Sequence, residues 1–368
     1  MHVSDEEDQN ATTGRTRPGP ARIGSVNLRD VAMRAGVSAA TASRVFADAK
    51  GVQPSTRERV LAAADELGYV VNGLARSMTG RGLRTMAFVV REMIGPTFAA
   101  LAAGVESRAT PNGYLLMICT THGDRDRERE LVKTLREQRT AAVLLVGSTE
   151  SDEAFAQTAV EYARSLADID APLVFCGRPP IPGHNEISSA DYDQSGGMRS
   201  VVDHLVSLGH RRIAYLGEGP GMTTSDLRFG GYRDGLATHG VVFDPSLVLH
   251  TTNHEDAAEA TVRRFLQTGI PATALVCMTD VMAIGAMRAL RAAGVPIPDA
   301  MSVVGFDDVP IVGDLTPGLT TVHPPFYEVG VAAAEIALSA EHTGHVLLEP
   351  RLVVRGSTGV APQEPWTP

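Results

Sequence analysis

The stretch 30-DVAMRAGVSAATASRVF-46 decides the reading of the N-terminal end. Two short Ala- and Val-rich runs flank the turn Ala35-Gly36-Val37-Ser38, and an Arg lies near the end of the second run. Asn27 is placed to cap a helix over Leu28, Val31 and Ala32, and Ser38 to cap the next, over Ala42, Val45 and Phe46. Pro54-Ser55 then opens a third, 55-STRERVLAAADELGY-69, with Val60, Leu61, Ala64 and Leu67 on one face and Gly68 as its stop. Three short helices with small apolar faces make one mini-core. Two of them joined by a tight Gly turn suit a helix-turn-helix, whose second helix enters a DNA major groove. Taken alone, the same spacing fits any helical hairpin with a Gly turn.

Charge narrows the choice. The chain has 368 residues and a formal net charge of −10, so the whole molecule is not a general polyanion binder. Between Ser25 and Gly82, eight Lys and Arg stand against five Asp and Glu, which gives 8 − 5 = +3. A basic end on an acidic body suggests that one end touches a polyanion. The length suggests two or three domains. Residues 1–24 are acidic and Thr/Gly/Pro-rich with no apolar signal region, and read as a disordered tail. The connector 72-NGLARSMTGRG-82 has helical spacing at Leu74 and Met78, but a helix so short should order only against a partner. Cys119, Cys176 and Cys277 lack CxxC spacing and read as reduced core residues. No metal and no cofactor is expected. No run reaches 18 apolar residues, so a cytoplasmic protein without a membrane span is expected, associated with the nucleoid when bound to DNA.

From Thr85 onward the pattern changes. Apolar runs recur at 86-MAFVV-90, 115-LLMIC-119, 142-AVLLV-146, 173-LVFC-176, 213-IAYLG-217, 274-ALVCM-278 and 302-SVVGF-306. Amphipathic segments such as 128-ERELVKTLREQ-138, 197-GMRSVVDHLVSLG-209 and 281-VMAIGAMRALRAAG-294 separate most of them. Continuous apolar strands alternating with helices predict parallel sheets covered on both faces. The strand number predicts an α/β core of two doubly wound lobes, with the cleft between them as the default ligand site.

The residues around the opening stretch then carry a resemblance. The runs 28-LRDVAMRAGVSAATASRVF-46, 52-VQPSTRERVLAAADELGYVVN-72, 74-LARSM-78, 203-DHLVSLGHRRIAYL-216, 228-RFGGYRDGL-236, 279-TDVMAIGAMRAL-290, 302-SVVGFDD-308 and 319-LTTV-322 resemble the LacI/GalR (lactose repressor) family of bacterial transcription regulators, over nearly the whole chain after about residue 25. The resemblance implies a headpiece at 25–72, a hinge helix at 73–82 and a periplasmic-binding-protein-like core at 83–360. Within that core the first lobe is expected at about 83–188 and 321–346 and the second at about 189–320 and 347–360, followed by a tail at 361–368. It implies a homodimer on palindromic operator DNA, and a small effector that shifts a two-state equilibrium of the lobes.

For DNA, the resemblance implies contacts from Asn27, Ser38, Ala39, Ala40, Thr41, Ser43 and Arg44, and from Leu74, Ala75 and Met78 in the hinge. Ala39 and Ala40 offer only methyl contact. Arg44, able to clasp guanine O6 and N7, is the favoured specific contact. Thr41 and Ser43 fit a solvated helix face as well. Met78 stands where the family usually has Leu as the minor-groove wedge, and Ala47 stands near where it commonly has Asn.

For the effector, the resemblance points to Arg228 and Asp280, and to Arg178 and Asp191 as in the sugar-responsive branch. An Arg and an Asp converging on a cleft suit a polyol, which needs donors and acceptors. Arg178 and Asp191 would equally form a structural ion pair. Phe98 either stacks on a sugar ring or belongs to the core. Asp307-Asp308 is read as capping a turn and bracing the cleft. Three other readings share parts of this picture. A nucleoside- or purine-sensing regulator has the same fold. A transport solute-binding protein has the lobes without the headpiece. An enzyme would need a phosphate loop, a nucleophile with its base, or a metal cluster, and the motifs GxxxxGK[ST], GxSxG and HExxH are missing from the sequence.

Overall fold

A computed structural model of the chain describes residues 26–47, 49, 51–69, 84–93 and 95–363. The expected N-terminal tail, the hinge with Leu74, Ala75 and Met78, and the last five residues lie outside the described residues. The chain divides into two compact units, 1–83 and 84–368.

In the first unit, α1 (Leu28–Ala35) starts at a reciprocal capping box. Asn27 Oδ1 accepts from the Arg29 and Asp30 amides, and the Asp30 carboxylate accepts from the Asn27 amide at 2.8 Å. Gly36 ends the helix in the left-handed region at φ +66°, which lets the chain turn tightly into Ser38. Ser38 caps α2 (Ala39–Phe46) through the Thr41 amide. α3 (Pro54–Glu66) begins with Pro at its first position, where no amide is needed. Val31, Ala32, Ala35, Ala42, Val45, Val60, Ala63 and Ala64 are buried between the three helices. Leu61, expected in this core, is 47% exposed; Ala63 takes its place inward.

The second unit holds two parallel sheets. In the first lobe, β1 (Arg84–Val90), β2 (Tyr114–Thr120), β3 (Ala142–Val146), β4 (Leu173–Cys176), β5 (Ser188–Tyr192) and β11 (His345–Leu348) lie in the order β11-β5-β4-β3-β1-β2, all parallel. In the second, β6 (Ile213–Gly217), β7 (Val248–His250), β8 (Ala274–Cys277) and β9 (Ser302–Val304) lie in the order β7-β6-β8-β9, again parallel. A short antiparallel pair, β10 (Thr321–His323) with β12 (Arg351–Val353), completes the strands among the described residues. The expected α/β class therefore holds. The lobe divisions fall later than expected. Residues 188–192 and 345–348 are both hydrogen-bonded into the first sheet, so the chain crosses after Tyr192 and after Leu348 rather than at 188/189 and 346/347.

Helices connect the strands: α4 (Pro96–Ala109), α5 (Arg125–Glu137), α6 (Glu153–Ala167), α7 (Gln194–Ser207), α8 (Thr223–Thr238), α9 (Glu255–Gln267), α10 (Asp280–Ala292) and α11 (Phe326–Leu338). α4 and α11 touch backbone to backbone. A Cβ on Gly104 would stand 2.1 Å from the Tyr327 carbonyl oxygen, and one on Gly330 2.1 Å from that of Leu101. Neither obstacle is a movable side chain. Gly104→Ala is therefore expected to lower stability by about 1–3 kcal/mol through overpacking, read as a fall in thermal midpoint. An unchanged midpoint would mean that the helices part freely. Among the described residues, no helix is long and apolar enough to cross a membrane.

Candidate functional site

Two surfaces stand out, one in each unit. In the first unit, the capping of α2 leaves one face outward. Ser38, Ala39, Ala40, Ser43 and Arg44 are exposed and Thr41 is half-buried, while Ala42 and Val45 point into the core. Ser38 and Thr41 hydroxyls meet at 2.9 Å, so both belong to the helix start. Asn27 is engaged in its own capping box and is exposed just before α1. The outward face of α2 thus offers two methyls and hydroxyls from its start and middle and one guanidinium from its last turn.

In the second unit, four of the five expected effector residues, Arg178, Asp191, Arg228 and Asp280, are buried. Arg228, on α8, is 2% exposed. Its guanidinium donates to the Met278 carbonyl, to Tyr192 Oη at 2.9 Å and to Asp307 Oδ1 at 2.9 Å, and its carbon lies 3.8 Å above the Phe306 ring. Burial works against its charge, but Asp307 and Tyr192 outweigh it and hold the guanidinium firmly protonated. Asp307 itself is pushed up by burial and pulled back by Arg228. Its backbone sits at φ +113°, and that of Asp308 at φ +49°, a left-handed pair that L residues rarely adopt. The turn is held by the Asp307 amide on the Val322 carbonyl and by Asp308 between Arg355 at 2.7 Å and His323 at 2.9 Å. Strain fixed in this way is characteristic of ligand-facing positions.

Asp280 behaves differently from expectation. It is fully buried at the start of α10. Its Oδ1 accepts from the Thr321 hydroxyl at 2.6 Å and its Oδ2 from the Val309 amide at 2.8 Å. Its amide in turn donates to the Phe306 carbonyl. Burial raises it to about 8. Both oxygens are thus engaged in bracing the turn after β9. Asp307, read from the sequence as the brace, is the carboxylate paired with Arg228.

Arg178 and Asp191 do not pair with each other among the described residues. Arg178 follows β4, donates to the Val146 carbonyl at 3.2 Å and lies 5.7 Å from the Phe155 and Phe175 ring centres. Burial lowers it to about 10, against the pull of Glu128 and Glu150. Its Nε and Nη1 have no partner. It lines a polar recess at the strand ends of the first lobe with Thr121, Glu128, Ser148, Thr149 and, from the second lobe, Met222. Asp191, in β5, is 2% exposed and is raised by burial to about 7. Phe98, near the start of α4, is half-buried against the core, and its ring lies 3.0 Å from where a Gly147 Cβ would be. That places it beside the end of β3, the residue after which the recess begins.

The lobes also touch directly over this recess. The Ser151 amide donates to the Gly221 carbonyl at 3.1 Å and the Thr223 amide to the Thr149 carbonyl at 2.8 Å, forming an antiparallel bridge between Glu150 and Met222. Tyr192 and Phe306 were not selected from the sequence, and Asp307 was selected as a brace rather than as a partner of Arg228. The sole signal for them is three-dimensional, through Arg228.

A helix-turn-helix unit joined to a two-lobed body with a buried polar cleft defines a ligand-responsive DNA-binding regulator. Residues 27–72 match the family described as bacterial regulatory proteins, lacI family, and residues 202–358 match a periplasmic binding protein-like domain. The chain is 34% identical to the HTH-type transcriptional regulator MalR of Streptomyces coelicolor, over 94% of this chain and all of that one. Its fold aligns with that of a transcriptional regulator CelR–cellobiose complex at a TM-score of 0.66 and 30% identity, covering 90% and 99% of the two chains. It aligns with the lac repressor dimer bound to operator and the anti-inducer ONPF at a TM-score of 0.79 and 27% identity, covering 91% and 99%. The chain belongs to the LacI family of transcriptional regulators.

Proposed function

We propose that the chain is a sequence-specific operator-binding regulator, acting as a homodimer, whose grip on DNA is set by a sugar held between the lobes. The observation that carries the effector reading is the buried Arg228–Asp307 pair facing Tyr192 and Phe306. A charged donor, a charged acceptor and aromatic faces at one point suit a hydroxylated ring. Arg178, Asp191 and Phe98 extend this surface toward the recess, and Asp307 takes the role first given to Asp280. The likeness to a regulator solved with cellobiose supports a carbohydrate, and the likeness to a dimer solved on its operator supports the DNA mode. A cytoplasmic location follows from that role.

Thermal-shift measurement of the purified protein against glucose, galactose, ribose, cellobiose, maltose, adenosine, cytidine and hypoxanthine tests the effector class. A ligand at a hundred times its Kd adds about 2.7 kcal/mol to stability. A sugar hit supports the reading, while a nucleoside or purine hit replaces it.

For DNA, Asn27 and the α2 face from Ser38 to Arg44 form the proposed reading surface, completed by Leu74, Ala75 and Met78. The operator is first obtained by selection from random duplexes. Arg44→Ala is then expected to weaken the selected duplex about ten- to a hundredfold, the worth of one guanine contact, and to relax preference at a single base pair. Equal loss on all sequences would instead make Arg44 a phosphate contact.

A further inference from the structure

Buried polar atoms without partners are rare in folded proteins, and each calls for a reason. Among the described residues, eleven buried side-chain nitrogen or oxygen atoms lack one, and seven belong to five residues: Arg178, Asp191, Gln194, Ser225 and Arg228. Two of these, Gln194 and Ser225, match no pattern noted in the sequence. Gln194 is 2% exposed, and neither its Oε1 nor its Nε2 is satisfied. Ser225 is 2% exposed with a free Oγ.

Chain geometry brings them together. Gln194 is the first residue of α7, and its carboxamide is near enough to the Asp191 carboxyl to favour the ionised form, although the two make no well-formed hydrogen bond. The next residue, Ser195, donates its hydroxyl to the Leu227 carbonyl on α8 at 2.9 Å. Its backbone oxygen lies 2.3 Å from where a Gly231 Cβ would be, so the two helices cross without clearance. Ser225 precedes Arg228 by three residues on α8 and so shares its face. Tyr192 closes the ring, since its Oη accepts from Arg228. One carboxylate oxygen, one carboxamide, one hydroxyl and one guanidinium Nε are therefore left unpartnered on adjoining stretches of β5, α7 and α8.

We propose that Gln194 and Ser225 are effector contacts, and that the Gln194 carboxamide selects the ligand by pairing its donor and acceptor with two neighbouring hydroxyls of a carbohydrate. This rests on the sugar reading above. The carboxamide edge presents one N–H and one oxygen side by side, the complement of a vicinal diol, while Ser225 adds a group that donates or accepts as needed. A site built this way rejects a deoxy analogue strongly, because the missing hydroxyl strands a buried amide.

The test compares the full-length protein with Gln194→Met and Ser225→Ala. Met matches the size of Gln and leaves no polar atom behind. If Gln194 serves a ligand, Gln194→Met raises the thermal midpoint of the ligand-free protein, since an unsatisfied amide is replaced by a thioether. The same variant weakens the tightest-binding sugar of the panel at least tenfold by calorimetry, and narrows the gap between that sugar and its deoxy analogue. Ser225→Ala is expected to weaken it about threefold to tenfold. A lower midpoint in Gln194→Met, or unchanged affinity and deoxy discrimination, overturns the proposal, because Gln194 then supports the fold alone. If no sugar binds the parent protein, the sugar reading fails. The proposal of a diol-selecting contact falls with it, while a raised midpoint would still mark Gln194 as a ligand residue for another chemistry.

Discussion

Arg228→Met is expected to lower the thermal midpoint of the ligand-free protein by roughly 6–12 °C and to erase any sugar-dependent shift. The substitution keeps most of the volume but removes the cation that faces Asp307. Removing one member of a buried pair costs about 3–5 kcal/mol, because the remaining charge is stranded. Asp307 limits the damage by taking up a proton, so the lower end, about 3 kcal/mol, applies. At about 2–4 °C per kcal/mol for a unit of this size, the stated range follows. Two further losses accompany it, the bonds to the Met278 carbonyl and to Tyr192 Oη. The double variant Arg228→Met, Asp307→Asn distinguishes pair from packing. It is expected to recover part of the loss, since no charge is then left uncompensated. A double variant that is worse than Arg228→Met by the full cost of Asp307→Asn would mean that the two residues act independently. The ion pair would then not be the organising feature of the cleft.

This prediction depends on a contact that joins residues 79 positions apart, and that distance marks the limit of what the sequence reveals. The headpiece was legible because its determinants are local. Asn27 and Ser38 cap within three residues, and Gly36 turns the chain at a left-handed φ that side-chain-bearing residues disfavour. The hydrophobic strands β1, β3, β4, β6 and β8 were legible because five or so apolar residues in a row leave few alternatives. β5 was not. Its sequence, Ser-Ser-Ala-Asp-Tyr, has no apolar run, yet all five residues are buried. The fold satisfies the two serines one by one, Ser188 on the His342 carbonyl and Ser189 on His345 Nδ1, while Asp191 keeps an unpartnered Oδ1. Burial there follows from sheet position, which no local pattern encodes. The two aspartates show the same limit in the site. Asp280 and Asp307 are the same residue type, each near the end of an apolar strand. Only the left-handed backbone at Asp307 and the bonds closing around Asp280 decide which of them faces Arg228. The resemblance pointed to the residue types, but the direction in which each side chain aims is set by contacts that no local pattern encodes.

Asp191 carries the second large effect, a pH dependence opposite to ordinary acid denaturation. Its carboxyl is raised to about 7 by burial, against the opposing pull of the Tyr192 amide, the Gln194 carboxamide and Arg228, with Asp193 adding a little to the rise. In the unfolded chain an Asp titrates near 4. Between these limits the folded protein holds one proton more than the unfolded protein. Stability therefore falls as pH rises through that window, by up to about 1.4 kcal/mol per pH unit, and this group adds no further slope above pH 7. Asp280, raised to about 8, contributes in the same direction. Asp191→Asn removes the Asp191 share. Its thermal midpoint should match the parent at about pH 3 and exceed it at pH 8, with the difference opening between about pH 4 and 7. A sugar hydroxyl donated to Asp191 favours the ionised form, so binding below pH 7 should release a proton. Calorimetry in buffers of different ionisation enthalpy measures that release, and Asp191→Asn should abolish it. Parallel midpoint curves for parent and variant would show instead that Asp191 stays ionised throughout. Its free Oδ1 would then have to be hydrated in the resting protein, and effector binding would displace water from it rather than a proton.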